Sequence, residues 1–220
     1  MTPEKKVRVG VFDSGRGGLS FVKAIRAELP SYEVVFRNDE SHVPYGTRSL
    51  EEIYSFTKPI LEELARQGCK AIVVACNTVS TNLIERLRED IPVPLIAVEP
   101  MVKPAAENTK TRIIAVCATL RTLESKRYQW LKAEYAQGVE VLEPDCSDWA
   151  LMIETNRVDR DKVAKTIDEM CDQGADQIVL GCTHYHWIEK IITNITAGRA
   201  EVIQPEKAVV AQLKHILNQL

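Results

Sequence analysis

Two cysteines occupy corresponding places in an internal repeat of the sequence. Residues 61–68 (LEELARQG) align with residues 167–174 (IDEMCDQG) at a constant offset of 106 positions, and the offset continues without a gap to Cys76 and Cys182. In each copy a helical pattern ends at a glycine, an apolar strand follows, and the cysteine comes at the carboxyl end of that strand. Parallel α/β sheets bind their ligands at those ends. Similar helices and strands are common to all such units, but a shared cysteine is not. The repeat therefore predicts two lobes of about 100 residues, each presenting one thiol to a common cleft.

Two facing thiols suit the inversion of a carbon centre. One cysteine, as thiolate, would remove a proton from one face, and the other, as thiol, would deliver a proton to the opposite face. A free thiol has a pKa near ~8.5, so modest tuning supplies the thiolate at neutral pH. Because the α-proton of an amino acid is weakly acidic, the site also needs hydrogen-bond donors that stabilise a carbanion. Asn77, Thr78, Thr183 and His184, which follow the two cysteines, are suitable donors.

Short β-branched runs alternate with amphipathic helical patterns along the chain. The helical patterns at 50–67 and 162–173 end at Gly68 and Gly174, which are favourable stop residues. Strands that alternate with helices indicate right-handed crossovers and parallel sheets, so the fold class is α/β. The predicted strands are 7–12, 33–37, 71–75, 95–98, 113–117, 139–142 and 177–181.

The composition is that of an ordinary globular chain. The 220 residues are 45% hydrophobic and 27% charged with a net charge of -3, which excludes disordered and collagen-like classes. The 28 basic and 31 acidic residues are mixed along the chain, so we expect neither nucleic acid nor a membrane surface as a partner. Residues 1–6 are polar, and the apolar run after them is too short for a secretory signal or a membrane span. These features predict a cytoplasmic protein.

The six cysteines are expected to be reduced thiols, since the chain is long enough to build a core without disulfides. No Cys-x-x-Cys occurs, and the histidines do not stand at finger-like spacing from paired cysteines, so a structural zinc site is not expected. We interpret the other four cysteines as small hydrophobic residues without a catalytic role. They are Cys69, Cys117, Cys146 and Cys171.

The sequence resembles a known family at these positions, the cofactor-independent glutamate racemases of the aspartate/glutamate racemase superfamily. Each matching segment alone is weakly specific, but five in order with both cysteines are a specific signal. The segments are 11–15 (VFDSG) with 17–18 (GG), 44–46 (PYG), 75–78 (ACNT), the stretch with Ala118, Thr119, Thr122, Ser125 and Tyr128, and 181–185 (GCTHY).

The resemblance implies two pseudo-symmetric α/β lobes, each a mainly parallel sheet flanked by helices, with a small acidic amino acid bound in the cleft between them. The lobes are expected to comprise residues 1–98 plus 208–220, and residues 99–207. The resemblance also implies catalysis without pyridoxal phosphate, metal or nicotinamide, and the supply of D-glutamate for peptidoglycan. It is the basis for expecting a homodimer.

The resemblance assigns roles to individual residues. Cys76 and Cys182 are the expected catalytic thiols. Asp13 beside Cys76, and Glu154 with His184 beside Cys182, are expected to tune the thiols or relay protons. The expected substrate-binding residues are Ser14, Pro44, Tyr45, Gly46, Asn77, Thr78, Thr119 and Thr183. Other interpretations of the three assisting groups are a helix cap for Asp13, a structural histidine for His184, and a solvated acid for Glu154.

Some positions depart from the family pattern around the predicted cleft. Arg16 stands where a small residue is common, and Tyr185 is followed by His186 and Trp187 where the family usually has Tyr-Pro. These changes leave both thiols in place, so the sequence supports racemase chemistry more strongly than it supports glutamate as the substrate.

Three alternatives stay open at this point. The first is a racemase for aspartate or for a broad range of acidic amino acids. The second is a thiol amidohydrolase that uses Cys182 with His184, although one nucleophile would leave Cys76 unexplained. The third is a catalytically degenerate binding protein that retains the scaffold.

Overall fold

Two parallel four-stranded sheets form the framework of the protein. The first contains β1 (Arg8–Asp13), β2 (Glu33–Asn38), β3 (Cys69–Val74) and β4 (Leu95–Ala97), and the second contains β5 (Ile113–Ala118), β6 (Glu140–Leu142), β7 (Gln177–Gly181) and β8 (Glu201–Ile203). The strand orders are β2-β1-β3-β4 and β6-β5-β7-β8, so the two sheets have the same topology.

The computed structural model describes residues 6–220. Residues 1–5, which make up most of the polar amino terminus, lie outside the described residues.

Helices connect the strands and cover both faces of each sheet. They are α1 (Leu19–Glu28), α2 (Leu50–Arg66), α3 (Asn77–Asp90), α4 (Val102–Asn108), α5 (Leu120–Leu123), α6 (Lys126–Tyr135), α7 (Trp149–Glu154), α8 (Arg160–Asp172), α9 (Glu189–Thr196) and α10 (Glu206–Leu217), with 3₁₀ helices at Glu40–His42, Tyr45–Thr47 and Thr183–Ile188. Among residues 6–220 no helix is long and apolar enough to cross a membrane.

Helix α2 begins and ends as its sequence predicts. Ser49 and Glu52 form a reciprocal capping box at its start, which satisfies backbone donors that the helix cannot pair internally. The chain leaves the helix through Gly68 at φ +84°, and its counterpart Gly174 after α8 has φ +97°. Because this left-handed region is strained for residues with a Cβ, the two glycines end equivalent helices in the two lobes.

Each sheet has an apolar layer on both faces. On the first sheet, Val9 and Val11 of β1 pack with α1 and α10, whereas Phe12 packs with α2 and α3 on the other face. This alternation follows from the two-residue period of a strand. Helix α10 contributes Val209 and Leu213 to the first lobe, so the end of the chain returns to the lobe where it began.

The structure confirms the α/β class and the two similar lobes. The predicted strands occur within one or two residues of their expected bounds, and β8 is the strand that the sequence analysis missed. Strand β8 has three residues and lies at a sheet edge, and such a short run carries little periodicity. The lobe boundaries at 98 and 208 stay a prediction.

Candidate active site

The two repeat cysteines line one cleft between the lobes. Cys76 follows β3 and is the N-cap of α3, and Cys182 follows β7 and is the N-cap of the 3₁₀ helix Thr183–Ile188. Strands β3 and β7 hold the same place in their sheets, so the two thiols enter the cleft from equivalent strand ends. The cleft has a volume of about 360 Å³, which suits a small ligand.

Most of the predicted site residues surround this cleft. Asp13 and Glu154 do not line it but lie behind the two cysteines. The predicted residues that line it are Ser14, Pro44, Tyr45, Gly46, Cys76, Asn77, Thr78, Thr119, Cys182, Thr183 and His184.

A relay of two side chains, His184 and Glu154, stands behind the second thiol. The Nε2 atom of His184 lies 2.6 Å from Oε1 of Glu154, and its Nδ1 atom lies 3.8 Å from the sulfur of Cys182. A carboxylate only accepts hydrogen bonds, so Nε2 carries a proton and Nδ1 faces the sulfur. The imidazole can therefore accept a proton from the thiol or donate one to the thiolate.

The surroundings of His184 favour its charged form. Burial alone would lower the pKa of His184, but its hydrogen bonds to Cys182 and Glu154 outweigh burial and raise the pKa to about 10. The hydrogen bond from His184 in turn lowers the pKa of Glu154. At neutral pH the relay is thus an imidazolium beside a carboxylate, which places a positive charge next to Cys182.

The first thiol has different surroundings. The sulfur of Cys76 is buried and lies 3.4 Å from Oγ of Ser14. Burial, with a smaller contribution from the charge of Asp13, raises the pKa of Cys76 to about 12. The two pseudo-equivalent cysteines therefore differ in charge balance, because Cys76 is held as a neutral thiol while an imidazolium faces Cys182.

Asp13 joins the two lobes at the base of the cleft. Its Oδ2 atom accepts hydrogen bonds from the backbone of Gly15 and Gly18, and its Oδ1 atom accepts one from the hydroxyl of Thr183 in the other lobe. Burial raises the pKa of Asp13, an effect opposed by the nearby charge of His184 and by these donors. The N-cap of α1 is Gly18 and not Asp13, and no side chain among residues 6–220 caps that helix; Asp13 contacts only the backbone nitrogen of the cap residue.

The lobes approach closely where two glycines stand. A Cβ atom on Gly15 would lie 2.1 Å from Oε1 of Glu154, and one on Gly17 would lie 2.7 Å from the backbone carbon of Thr183. Real Cβ atoms do not come this close to other atoms, so the loop after β1 can pack against the second lobe only with glycine at these places.

The side chain of Asn77 has no hydrogen-bond partner among residues 6–220. It is 3% exposed, and neither its Oδ1 nor its Nδ2 atom has a hydrogen-bond partner within the described residues. A buried amide left unpaired costs free energy, so a ligand in the cleft is the natural partner. Next to it, the hydroxyls of Thr78 and Thr119 lie 3.1 Å apart and connect the lobes.

The charge of the cleft is positive. None of the described side chains that line it is a carboxylate, and its basic groups are Arg121 and His184. Sequence analysis did not identify Arg121, which stands two residues after the predicted Thr119. A cation two residues after a strand-end threonine is the signal that could have identified it.

Arg16, which departs from the family pattern, contacts the second lobe. Its backbone nitrogen donates to Glu154 (3.1 Å), its Nη2 atom donates to Oδ1 of Asn156 (2.8 Å), and its Nε atom lies 3.4 Å from Glu154. The guanidinium also lies 5.4 Å from the ring centre of Trp187. Arg16 of the first lobe thus holds the acid that orients His184 in the second.

The remaining cysteines lie outside the cleft. Cys69, Cys117 and Cys146 are buried, Cys171 is half-buried, and all are free thiols. Contact with Cys117, together with burial, raises the pKa of Cys146. Residues 6–220 contain no group of three or more His, Cys, Asp or Glu side chains arranged to hold a metal ion. Catalysis without a cofactor stays a prediction.

Comparison with known proteins agrees with this arrangement. The family model described as Asp/Glu/Hydantoin racemase matches residues 17–213. A glutamate racemase of Ralstonia pickettii is 40% identical in an alignment that covers 99% of this chain and 78% of that protein. The chain belongs to the glutamate racemase family. A second family member, the glutamate racemase of Pseudomonas aeruginosa strain PAO1, is 39% identical over 96% of this chain and 81% of its own length.

Solved structures of the family share the fold. The Escherichia coli glutamate racemase, in complex with L-glutamate and the activator UDP-MurNAc-ala, has a TM-score of 0.90 and 27% identity, covering 97% of this chain and 83% of that chain. A glutamate racemase isoform from Bacillus anthracis has a TM-score of 0.84 and 30% identity. The match covers 98% of this chain and 83% of that chain. The two-lobe architecture is thus that of the family.

Proposed function

We propose that the protein interconverts L- and D-glutamate, with Cys76 and Cys182 as the proton donor and acceptor on opposite faces of the α-carbon. The observation that carries the proposal is that two thiols from equivalent strand ends line one cleft. An acyl-transfer enzyme needs one nucleophile, whereas inversion needs an acid and a base. The many glutamate racemases among its relatives support the same reaction.

The unequal surroundings of the thiols support a defined starting state. The imidazolium of His184 faces the sulfur of Cys182, whereas burial raises the pKa of Cys76 and favours its thiol form. The Cys182 thiolate removes the α-proton of one enantiomer, and the Cys76 thiol gives its proton to the opposite face. Cys182 is then a thiol and Cys76 a thiolate, which is the state that converts the other enantiomer. Proton exchange with water restores the starting state.

The carbanion formed between the two steps must be stabilised by fixed donors in a cleft that excludes water. The unpartnered amide of Asn77 and the hydroxyls of Ser14 and Thr183 stand beside the sulfurs. We assign to these groups the α-carboxylate and α-amine of the substrate. The positive cleft favours a substrate with a second carboxylate, that is, an acidic amino acid.

The decisive experiment incubates the purified protein with L-glutamate in D₂O, with a metal chelator and without pyridoxal phosphate. We expect D-glutamate that carries deuterium at the α-carbon, because the incoming proton comes from a thiol that exchanges with solvent. A dependence on added pyridoxal phosphate or metal would contradict the mechanism. A parallel incubation with L- and D-aspartate separates a glutamate enzyme from one with broader acidic specificity.

We further propose that the product serves as the D-glutamate of peptidoglycan, on the basis of the family resemblance. The gene should restore growth to a bacterial strain that requires D-glutamate, and its Cys76→Ala variant should not. Failure of the unaltered gene, when the protein is expressed and racemises glutamate in extracts, would contradict this role. A homodimer and a cytoplasmic location stay predictions; sedimentation and cell fractionation test them.

A further inference from the structure

We propose that Arg121 binds the side-chain carboxylate of the substrate and thereby selects an acidic amino acid. This inference rests on the proposed function, because it names the residue that recognises the part of the substrate away from the reacting carbon. Arg121 lines the cleft that holds both thiols.

Local contacts hold Arg121 at the cleft wall. It lies in α5, directly after β5, and its backbone carbonyl accepts a hydrogen bond from the side chain of Asn82 (3.2 Å). Its Nη2 atom donates to the backbone carbonyl of Arg48 in the first lobe (3.0 Å). The side chain therefore spans the cleft from the second lobe to the first.

The guanidinium of Arg121 has no carboxylate partner within residues 6–220, whereas the nearby Arg48 pairs with Glu52 and Arg127 pairs with Glu99. Its Nε atom is buried and has no acceptor. When a charged group has a buried N–H donor and that donor has no acceptor, the folded state loses stability. Nη2 uses one hydrogen for the carbonyl of Arg48, so Nε and the remaining guanidinium hydrogens are the donors left for a carboxylate, the anion that Arg binds best.

His184, the other basic group of the cleft, already has partners within the protein. His184 is bonded to Glu154 and faces Cys182, so it belongs to the proton-transfer end of the site. Asn77 and Ser14 stand at that same end, with Ser14 in contact with Cys76. This leaves Arg121 as the cation of the cleft lining that is available for a second carboxylate.

Isothermal calorimetry with L-glutamate and its neutral isostere L-glutamine tests the assignment on the full chain. Racemisation adds no heat, because enantiomers have equal enthalpy in water. In Arg121→Gln we expect the Kd of glutamate to rise about 10- to 100-fold, as for loss of charge-assisted hydrogen bonds. The Kd of glutamine should change less than about 3-fold. Arg121→Lys, which keeps the charge but not the fork, should give an intermediate Kd.

Arg127→Gln is the matched control, since it removes one positive charge from the same lobe at a surface pair outside the cleft. It should leave both dissociation constants unchanged. An unchanged Kd of glutamate in Arg121→Gln would overturn the inference. An equal rise for glutamate and glutamine would overturn it too, because that result indicates only a lost contact between the lobes. Tight glutamate binding without racemisation by the wild type would instead contradict the proposed function alone.

Discussion

At the scale of single residues, the site treats two equivalent cysteines differently. Burial raises the pKa of Cys76, whereas Cys182 faces an imidazole whose own pKa is raised to about 10. The difference arises because His184 and Glu154 stand beside Cys182, whereas Ser14 and Asp13 stand beside Cys76. The same residue type therefore stands in two different electrostatic environments in the two copies of the repeat.

Replacing either thiol tests this division of roles. Cys76→Ala and Cys182→Ala should each reduce racemisation about 10²- to 10⁴-fold in both directions, because each direction needs one donor and one acceptor. Chiral chromatography of initial rates measures the loss. Cys171→Ala, at a half-buried thiol outside the cleft, should retain activity. Near-normal turnover in Cys76→Ala would refute the two-thiol mechanism, and loss in Cys182→Ala alone would favour the amidohydrolase alternative.

His184 gives the reaction a pH dependence with a defined sign. Because its pKa is raised to about 10, the imidazolium is present at neutral pH and is lost as the pH rises through about 10. We expect kcat/KM to fall over that range in the wild type. In His184→Gln activity should be low at neutral pH and should lack this alkaline decline. His215→Gln, at an exposed histidine of α10, is the control, and an unaltered decline in His184→Gln would rule out its assignment to the imidazolium.

At the scale of elements, the loop between β1 and α1 determines how closely the lobes meet. Gly17 and Gly68 are glycines for two different reasons, close packing at Gly17 and backbone conformation at Gly68. At Gly17 an added Cβ would meet the backbone of Thr183, whereas at Gly68 it would meet nothing within 4 Å but would strain a backbone at φ +84°. The first glycine permits contact between lobes, and the second permits a helix to end.

The two glycines should therefore respond differently to alanine. Gly17→Ala should reduce kcat about 10²-fold, since a shift of about 1 Å between catalytic groups has an effect of that size. Gly68→Ala should retain kcat but lower the free energy of unfolding by about 1–2 kcal/mol. Urea denaturation and steady-state kinetics of both variants provide the measurement. Full activity in Gly17→Ala would show that the close contact is dispensable.

At the scale of the whole molecule, side-chain contacts connect the lobes around the cleft. Asp13 accepts from Thr183, Arg16 reaches Glu154 and Asn156, and Arg121 donates to Arg48. Because these contacts also position the groups beside the thiols, the stability of the assembled lobes and the geometry of the site are coupled.

Arg16→Ala tests the coupling. It should lower the free energy of unfolding by about 1–2 kcal/mol through lost hydrogen bonds, and it should reduce kcat about 10-fold because Glu154 no longer holds His184 in one orientation. Arg16→Lys should restore part of both. Arg157→Ala, at an exposed arginine next to Asn156, should change neither. A loss of stability with unchanged kcat in Arg16→Ala would show that Arg16 joins the lobes without positioning the relay.

Local sequence patterns determined the fold class and the position of the thiols. Apolar periodicity, helix-ending glycines and the repeat are properties of neighbouring residues, and short-range sterics and burial decide them. They predicted the equivalent strands β3 and β7 with a cysteine at the end of each, and the resemblance then selected residues that do line the cleft. Strand β8 escaped because three residues at a sheet edge carry too little pattern.

Only the tertiary structure decided which distant side chains meet. Asp13 lies 170 positions from Thr183, and Arg121 lies 73 positions from Arg48. No periodicity encodes such pairs, because they depend on how the two sheets face each other. The same holds for the charge of the cleft. In the sequence Arg121 looks like any surface arginine; its place in the cleft lining and its buried Nε atom, which has no acceptor among residues 6–220, make it a candidate for substrate recognition.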